Sequence, residues 1–169
     1  MKYALLLVLA ATTLFTASAQ DKKPVASPPM TAKETISSGA TVTINYSAPS
    51  VKGRTIGKDL EPKDGAVWRT GANKATTFEV SQDVTVEGQA LPKGKYSLFT
   101  LVNGDEWTII FNKTADQWGA FDYKDADDAL RVKVKGMKGA FMEKLTFTIA
   151  KDGKVAMHWG DHKVDFTVK

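Results

Sequence analysis

The sequence predicts an all-β protein, an antiparallel β-sandwich of about nine strands that ends in a three-strand meander. Three observations predict it. Beyond residue 40, short runs rich in Val, Ile, Thr, Phe and Tyr alternate with turn residues. No segment carries apolar residues at 3.6-residue spacing through three turns, so long amphipathic helices are not expected. Finally, Asn103-Gly104 and Asp152-Gly153 stand between alternating runs, where left-handed residues reverse a chain.

The segment before the domain reads differently. Lys2, the apolar run from Ala4 to Phe15 and the small residues Ala17-Ser18-Ala19 have the order of a cleavable signal peptide, expected over residues 1–19, with Gln20 as the new first residue. The run is too short for a permanent helical span of about 20 residues. The chain has no cysteine. It therefore lacks the residue a lipoprotein acylates, and its core must hold without disulfides. We expect an exported protein, periplasmic or secreted. Residues 20–40, with Lys23-Pro24 and Ser27-Pro28-Pro29, read as a flexible or extended leader, and 41–169 as a single domain.

Within that domain, Thr41–Tyr46 is the first expected strand. The stretch from Pro49 to Lys74 has little alternation and holds Gly53, Gly57, Pro62, Gly65 and Gly71, so it reads as a long irregular loop of the kind that often carries function. Thr76–Val80 and Val84–Glu87 follow as strands. Leu91-Pro92-Lys93-Gly94 suits a type I turn. Tyr96–Val102 and Glu106–Asn112 form a hairpin that is apolar on both faces. Tyr96, Leu98, Trp107, Ile109 and Phe111 lie on one side and Phe99, Leu101 and Ile110 on the other, which places the pair at the centre of the fold. A short helical turn near Ala126 to Leu130 precedes a strand over Leu130–Lys135. In the last third, a three-residue loop Lys151-Asp152-Gly153 pairs Ile149 with Val155, Phe147 with Met157 and Leu145 with Trp159. A two-residue turn at Gly160-Asp161 then pairs Trp159 with His162 and Met157 with Val164.

Several strings resemble a known family. They are Trp68-Arg69-Thr70-Gly71-Ala72-Asn73-Lys74-Ala75-Thr76, Leu91-Pro92-Lys93-Gly94-Lys95-Tyr96-Ser97-Leu98-Phe99, and Trp107-Thr108-Ile109-Ile110-Phe111-Asn112-Lys113 followed by Gln117-Trp118-Gly119. In this order they look like the bacterial domain of unknown function 2911, from about Ser47 onward. The resemblance implies an exported bacterial protein of Bacteroidetes type. It implies no activity and no catalytic residue.

The formal charge of +4 comes from scattered lysines rather than a basic stripe interleaved with aromatics, so nucleic acid is not an expected partner. No metal or cofactor is expected. The two histidines, in His158-Trp159-Gly160-Asp161-His162, bracket a turn and should diverge rather than share zinc. Asp125-Ala126-Asp127-Asp128, with Asp122, offers hard oxygens but lacks the glycine and distal glutamate of an EF-hand loop. A cysteine nucleophile and a Gly-x-Ser-x-Gly elbow are both missing.

Arginine is the informative cation, because its planar fork recognises carboxylate or phosphate and lysine's point charge does not reproduce it. The chain has three, Arg54, Arg69 and Arg131, and two of them fall in the irregular loop. The expected ligand site comprises Arg54, Trp68, Arg69 and Asn73, joined by Trp118 and Tyr123 if the two loops gather at one end of the sandwich. It would take a small anionic or sugar-like ligand. The competing structural reading pairs Arg69 with an internal acid, Asp122 or Asp128, and makes Trp68 a plug. The expected role is a non-catalytic ligand-binding or envelope-accessory module. The alternatives are a hydrolase acting on carbohydrate or another envelope polymer, and a small outer-membrane barrel, against which the short strands and missing aromatic girdles count.

Overall fold

The computed structural model describes residues 25–169, so the expected signal peptide and its cleavage point lie outside the described residues. The elements are β1 (Pro29–Thr35), β2 (Thr41–Ser47), β3 (Val67–Trp68), β4 (Thr76–Val80), β5 (Val84–Val86), β6 (Gln89–Leu91), β7 (Gly94–Asn103), β8 (Glu106–Asn112), β9 (Asp128–Ile149) and β10 (Lys154–Thr167). A single 3-10 turn, Asp125–Asp127, precedes β9. The all-β antiparallel architecture is the one the sequence predicts.

The main sheet runs β1-β2-β4-β7-β8-β9-β10, with β3 also on β7, and β5 pairs with β6. It curls until its parts face each other. Just after β2, Ser50 bridges Lys144 of β9, the Val51 amide donates to Glu143 O, and the Leu145 amide donates to Pro49 O. Alternation explains the enclosed side, since Val42, Ile44 and Tyr46 of β2 are buried while Thr41, Thr43, Asn45 and Ser47 are only partly so. Across the core the rings of Tyr46 and Phe147 meet edge to face at 4.9 Å, as do Phe78 and Phe111 at 4.9 Å. Phe166 of β10 packs 6.1 Å from each of that second pair. Phe147, Met157 and Phe166 all point inward.

The central hairpin sorts its side chains as predicted. Leu98 pairs with Phe111 and Phe99 with Ile110. Tyr96, Leu98, Trp107, Ile109 and Phe111 join the main core. Phe99 and Ile110 face the other way, into a second small core with Ala75, closed by Leu101, Ala120 and Tyr123. The chain from Lys113 to Asp127 thus covers the outer face of β7 and β8.

Two expectations are corrected. Part of the segment read as leader is β1, each residue of which pairs with β2 from Pro29↔Ser47 to Thr35↔Thr41. Its residues are mostly exposed, because an edge strand needs backbone partners more than apolar side chains. The final meander is instead one hairpin of two long strands. Ile149↔Val155 and Phe147↔Met157 hold, with Gly153 left-handed at φ 88°, but Gly160-Asp161 does not reverse the chain. Instead β10 continues through it, with His158 opposite Thr146, Gly160 opposite Met142 and His162 opposite Lys138. The expected Trp159–His162 pair is therefore absent. Gly160 does take the left-handed conformation a turn would require, φ 59°. It uses it for a bulge, which inverts the alternation between Trp159 and Val164 just as a turn would.

Candidate functional site

Apart from β3 and isolated bridges such as those at Ser50 and Asp64, the loop from Pro49 to Lys74 is built by local hydrogen bonds. After the bridge at Ser50 the chain turns through Lys52 and Gly53, both left-handed. Thr55 O then accepts from the amides of Asp59 and Leu60, and the Thr55 amide donates to Asp59 Oδ2 at 2.9 Å. Beyond β3 the chain folds back over the end of β2, where the Ala72 amide donates to Ser47 O. Gly71 is required there, since a Cβ would stand 2.9 Å from Thr76 Oγ1 and 3.1 Å from Ser47 O.

Between these turns lies a cavity of about 490 Å³, lined by Trp68 and Trp159, by the cations Lys52, Arg54, Lys63 and Arg69, and by the acids Asp59 and Glu61. The indoles are 2 % and 1 % exposed. Their N–H groups are already used, Trp68 Nε1 on Gly71 O at 3.1 Å and Trp159 Nε1 on Glu61 O at 2.7 Å. They belong to the core and back the cavity wall rather than open into it.

The two arginines differ. Arg54 donates from Nη2 to Ser50 O at 2.7 Å and from Nε to Val51 O at 3.1 Å, which ties it to the backbone of the cavity wall. Arg69 has no such anchor. Its Nε is buried and, among the described residues, has no hydrogen-bond partner. A buried N–H of a charged group without a partner is rare and costly.

The expected internal acids do not serve it. Asp128 Oδ1 accepts from Asn112 Nδ2 at 2.9 Å, and Oδ2 accepts from Tyr123 Oη at 2.7 Å and Arg131 Nε at 2.8 Å. Arg131 Nη2 also donates to Tyr123 Oη at 2.7 Å. Buried Asn112 continues the network, its Oδ1 accepting from Gln117 Nε2 at 3.0 Å. This network fastens the 113–127 loop to the outer face of the hairpin. Burial first, and the bond to Asp128 second, push the Tyr123 hydroxyl up to about 12.

The structure therefore brings Arg54, Trp68 and Arg69 to one cavity and leaves the other three expected residues outside it. Asn73, left-handed at φ 60°, accepts the Gly119 amide on its carbonyl. Trp118 is 60 % exposed, on a bridge to Lys74. Tyr123 packs on Phe99 at 5.0 Å. The two loops touch along their backbones, and Lys74 Nζ meets Asp116 at 2.8 Å, but they do not build a single pocket. Sequence reasoning missed Lys52, Lys63, Asp59, Glu61 and Trp159. Trp159 reaches the cavity because the bulge at Gly160 holds it against the Glu61 carbonyl, and no local signal announces that contact.

Neither histidine meets the other in the strand register. His158 pairs with Thr146, and the His162 ring stacks 5.9 Å from Trp107. Among the described residues, no group of three or more His, Asp or Glu side chains is arranged to hold a metal. None of the described helices is long and apolar enough to cross a membrane.

One comparison with known proteins is positive. The family described as "Protein of unknown function (DUF2911)" matches residues 27–168. No curated protein and no solved structure matches the chain.

Proposed function

Because the chain belongs to the DUF2911 family, whose description assigns no activity, we propose from its own residues that it is an exported, non-catalytic binding module. It holds a small anionic ligand in the Arg69 cavity. The unpartnered, buried Nε of Arg69 carries this reading. A carboxylate, phosphate or acidic sugar would supply the missing acceptor, while buried Trp68 and Trp159 keep the wall behind it rigid and dry.

The charge of the lining agrees. Four cations face two acids, and each acid already accepts a backbone N–H, Asp59 from Thr55 at 2.9 Å and Glu61 from Lys63 at 2.9 Å. Arg54, fixed by two carbonyls, sets the wall and the local potential, while Arg69 supplies the fork. The signal peptide read in residues 1–19 would deliver the module beyond the inner membrane.

The test is a thermal-unfolding screen with small carboxylates, inorganic and organic phosphates, and uronic acids. A true ligand at a hundred times its Kd raises stability by about 2.7 kcal/mol. Arg69→Met should abolish the shift and Arg69→Lys should weaken it. A shift that survives in Arg69→Met, or none from any anion, overturns the reading. Cell fractionation, with the new N-terminus read at Gln20, tests the export.

A further inference from the structure

We infer that the bulged stretch of β9 is a docking surface for an anionic lipid bilayer, separate from the cavity. Between His158 and His162 of β10 the partner strand runs from Thr146 to Lys138, so β9 uses twice as many residues as the strand beside it. The surplus is pushed toward solvent. It carries Phe141, 62 % exposed, with Met137 close by at 46 %. Around these two stand exposed Lys135, Lys138 and Lys144. None of the three lysines takes part in an ion pair among the described residues.

The acids nearby are each engaged or at the margin. Glu143 accepts the Lys52 amide on Oε1 at 2.8 Å, Asp161 lies 3.8 Å from His162, Glu106, opposite Lys135, is paired with Lys133 at 2.8 Å, and Asp105 stands beside Gly136 at the end of the stretch. From Lys135 to Lys144 the stretch spans at most about 30 Å. It thus presents one aromatic and one thioether side chain among three lysines, with Glu143 the one acid inside the stretch.

Charge and residue type together decide the occupant. Lysine is depleted in protein–protein interfaces, and one Phe with one Met is too narrow to form the apolar centre of a stable dimer. At an anionic bilayer both features fit. Phenylalanine enters the headgroup boundary, and lysines lie along it with their stems in apolar contact. Each lysine near such a surface strengthens binding roughly fivefold.

The test is sedimentation of the chain from Gln20, which contains every described residue, with phosphatidylcholine vesicles with and without phosphatidylglycerol. The protein should partition onto the anionic vesicles and come off as salt is raised. Phe141→Ser and Lys138→Ala should each weaken partitioning roughly fivefold or more, whereas Lys93→Ala, on the turn before β7, and Arg69→Met should not. Equal binding to neutral vesicles, or indifference to both bulge substitutions, overturns the inference. So does a concentration-dependent dimer that Phe141→Ser dissolves, because the stretch would then be a self-association face.

Discussion

Tyr123 donates its hydroxyl hydrogen to Asp128 Oδ2 across 2.7 Å, one of three bonds that commit this acid elsewhere than to Arg69, whose Nε has no partner among the described residues. Asp128 is one of the two acids the sequence offers to Arg69. Its oxygens are instead filled by Tyr123, Arg131 and Asn112, all on the outer side of the central hairpin. The chain supports its covering loop with one arginine–aspartate pair, to which Arg69 does not belong.

The same bond makes stability sensitive to high pH. The Tyr123 hydroxyl is raised from 10.0 to about 12, so the folded state favours the neutral phenol. Its contribution is complete below about pH 10 and is lost as pH rises through about 12. In Tyr123→Phe the fall in unfolding free energy across that window should be shallower than in the parent. Tyr96 is raised as well, by burial and then by Asp83, and leaves a residual slope. Identical slopes in the two proteins would show that Tyr123 carries none of it.

Asp128→Ala should cost about 3 kcal/mol in urea unfolding, since it strips partners from three donors, one of them a charged guanidinium. Arg131→Ala should cost about 1 kcal/mol, because that side chain is 43 % exposed. The reverse order would mean that the network is organised around the arginine.

Gly153→Ala should destabilise by at least about 3 kcal/mol. The residue sits at φ 88°, and a Cβ there would fall 1.8 Å from Val168 O. Gly104→Ala is the matched control, with φ 60° but nothing within 4 Å, and should cost only about 1 kcal/mol. Similar losses measured by thermal unfolding would remove the clash from the explanation.

Arg69→Met should raise stability by about 1 kcal/mol while abolishing anion binding, because it exchanges a buried N–H without an acceptor for an apolar side chain. Denaturant midpoints with and without ligand measure both effects. A loss above about 2 kcal/mol in the free protein would identify Arg69 as a structural cation.

Much of the fold is written in alternation. Phe99 and Ile110 are apolar on a face where most strands are polar, and the structure puts the 113–127 loop there. Ile149 and Val155 find each other because any other loop length would turn one apolar row outward. β1 was illegible for the opposite reason, since its Pro-Met-Thr-Ala-Lys-Glu-Thr needs no buried row on an exposed edge. The Gly160 bulge imitates a turn in both its glycine and its change of parity, so alternation alone could not distinguish them. Half of the cavity was visible as rare arginines beside tryptophan in a long loop. Trp159 was not, because it arrives through a contact 98 residues away on the Glu61 carbonyl, and Lys52 and Lys63, though in the same loop, look like any of the chain's many lysines.

The stitching of residues 168 and 169 into the strands beside them bears on how the molecule is made. Val168 donates to Gly153 O, and Lys169 and Thr85 exchange both backbone hydrogen bonds. Ser37, near the start of the described chain, waits for Lys151. These closing hydrogen bonds cannot form until residues 151–169 have been synthesised, so the far ends of the curled sheet are the last parts to be joined.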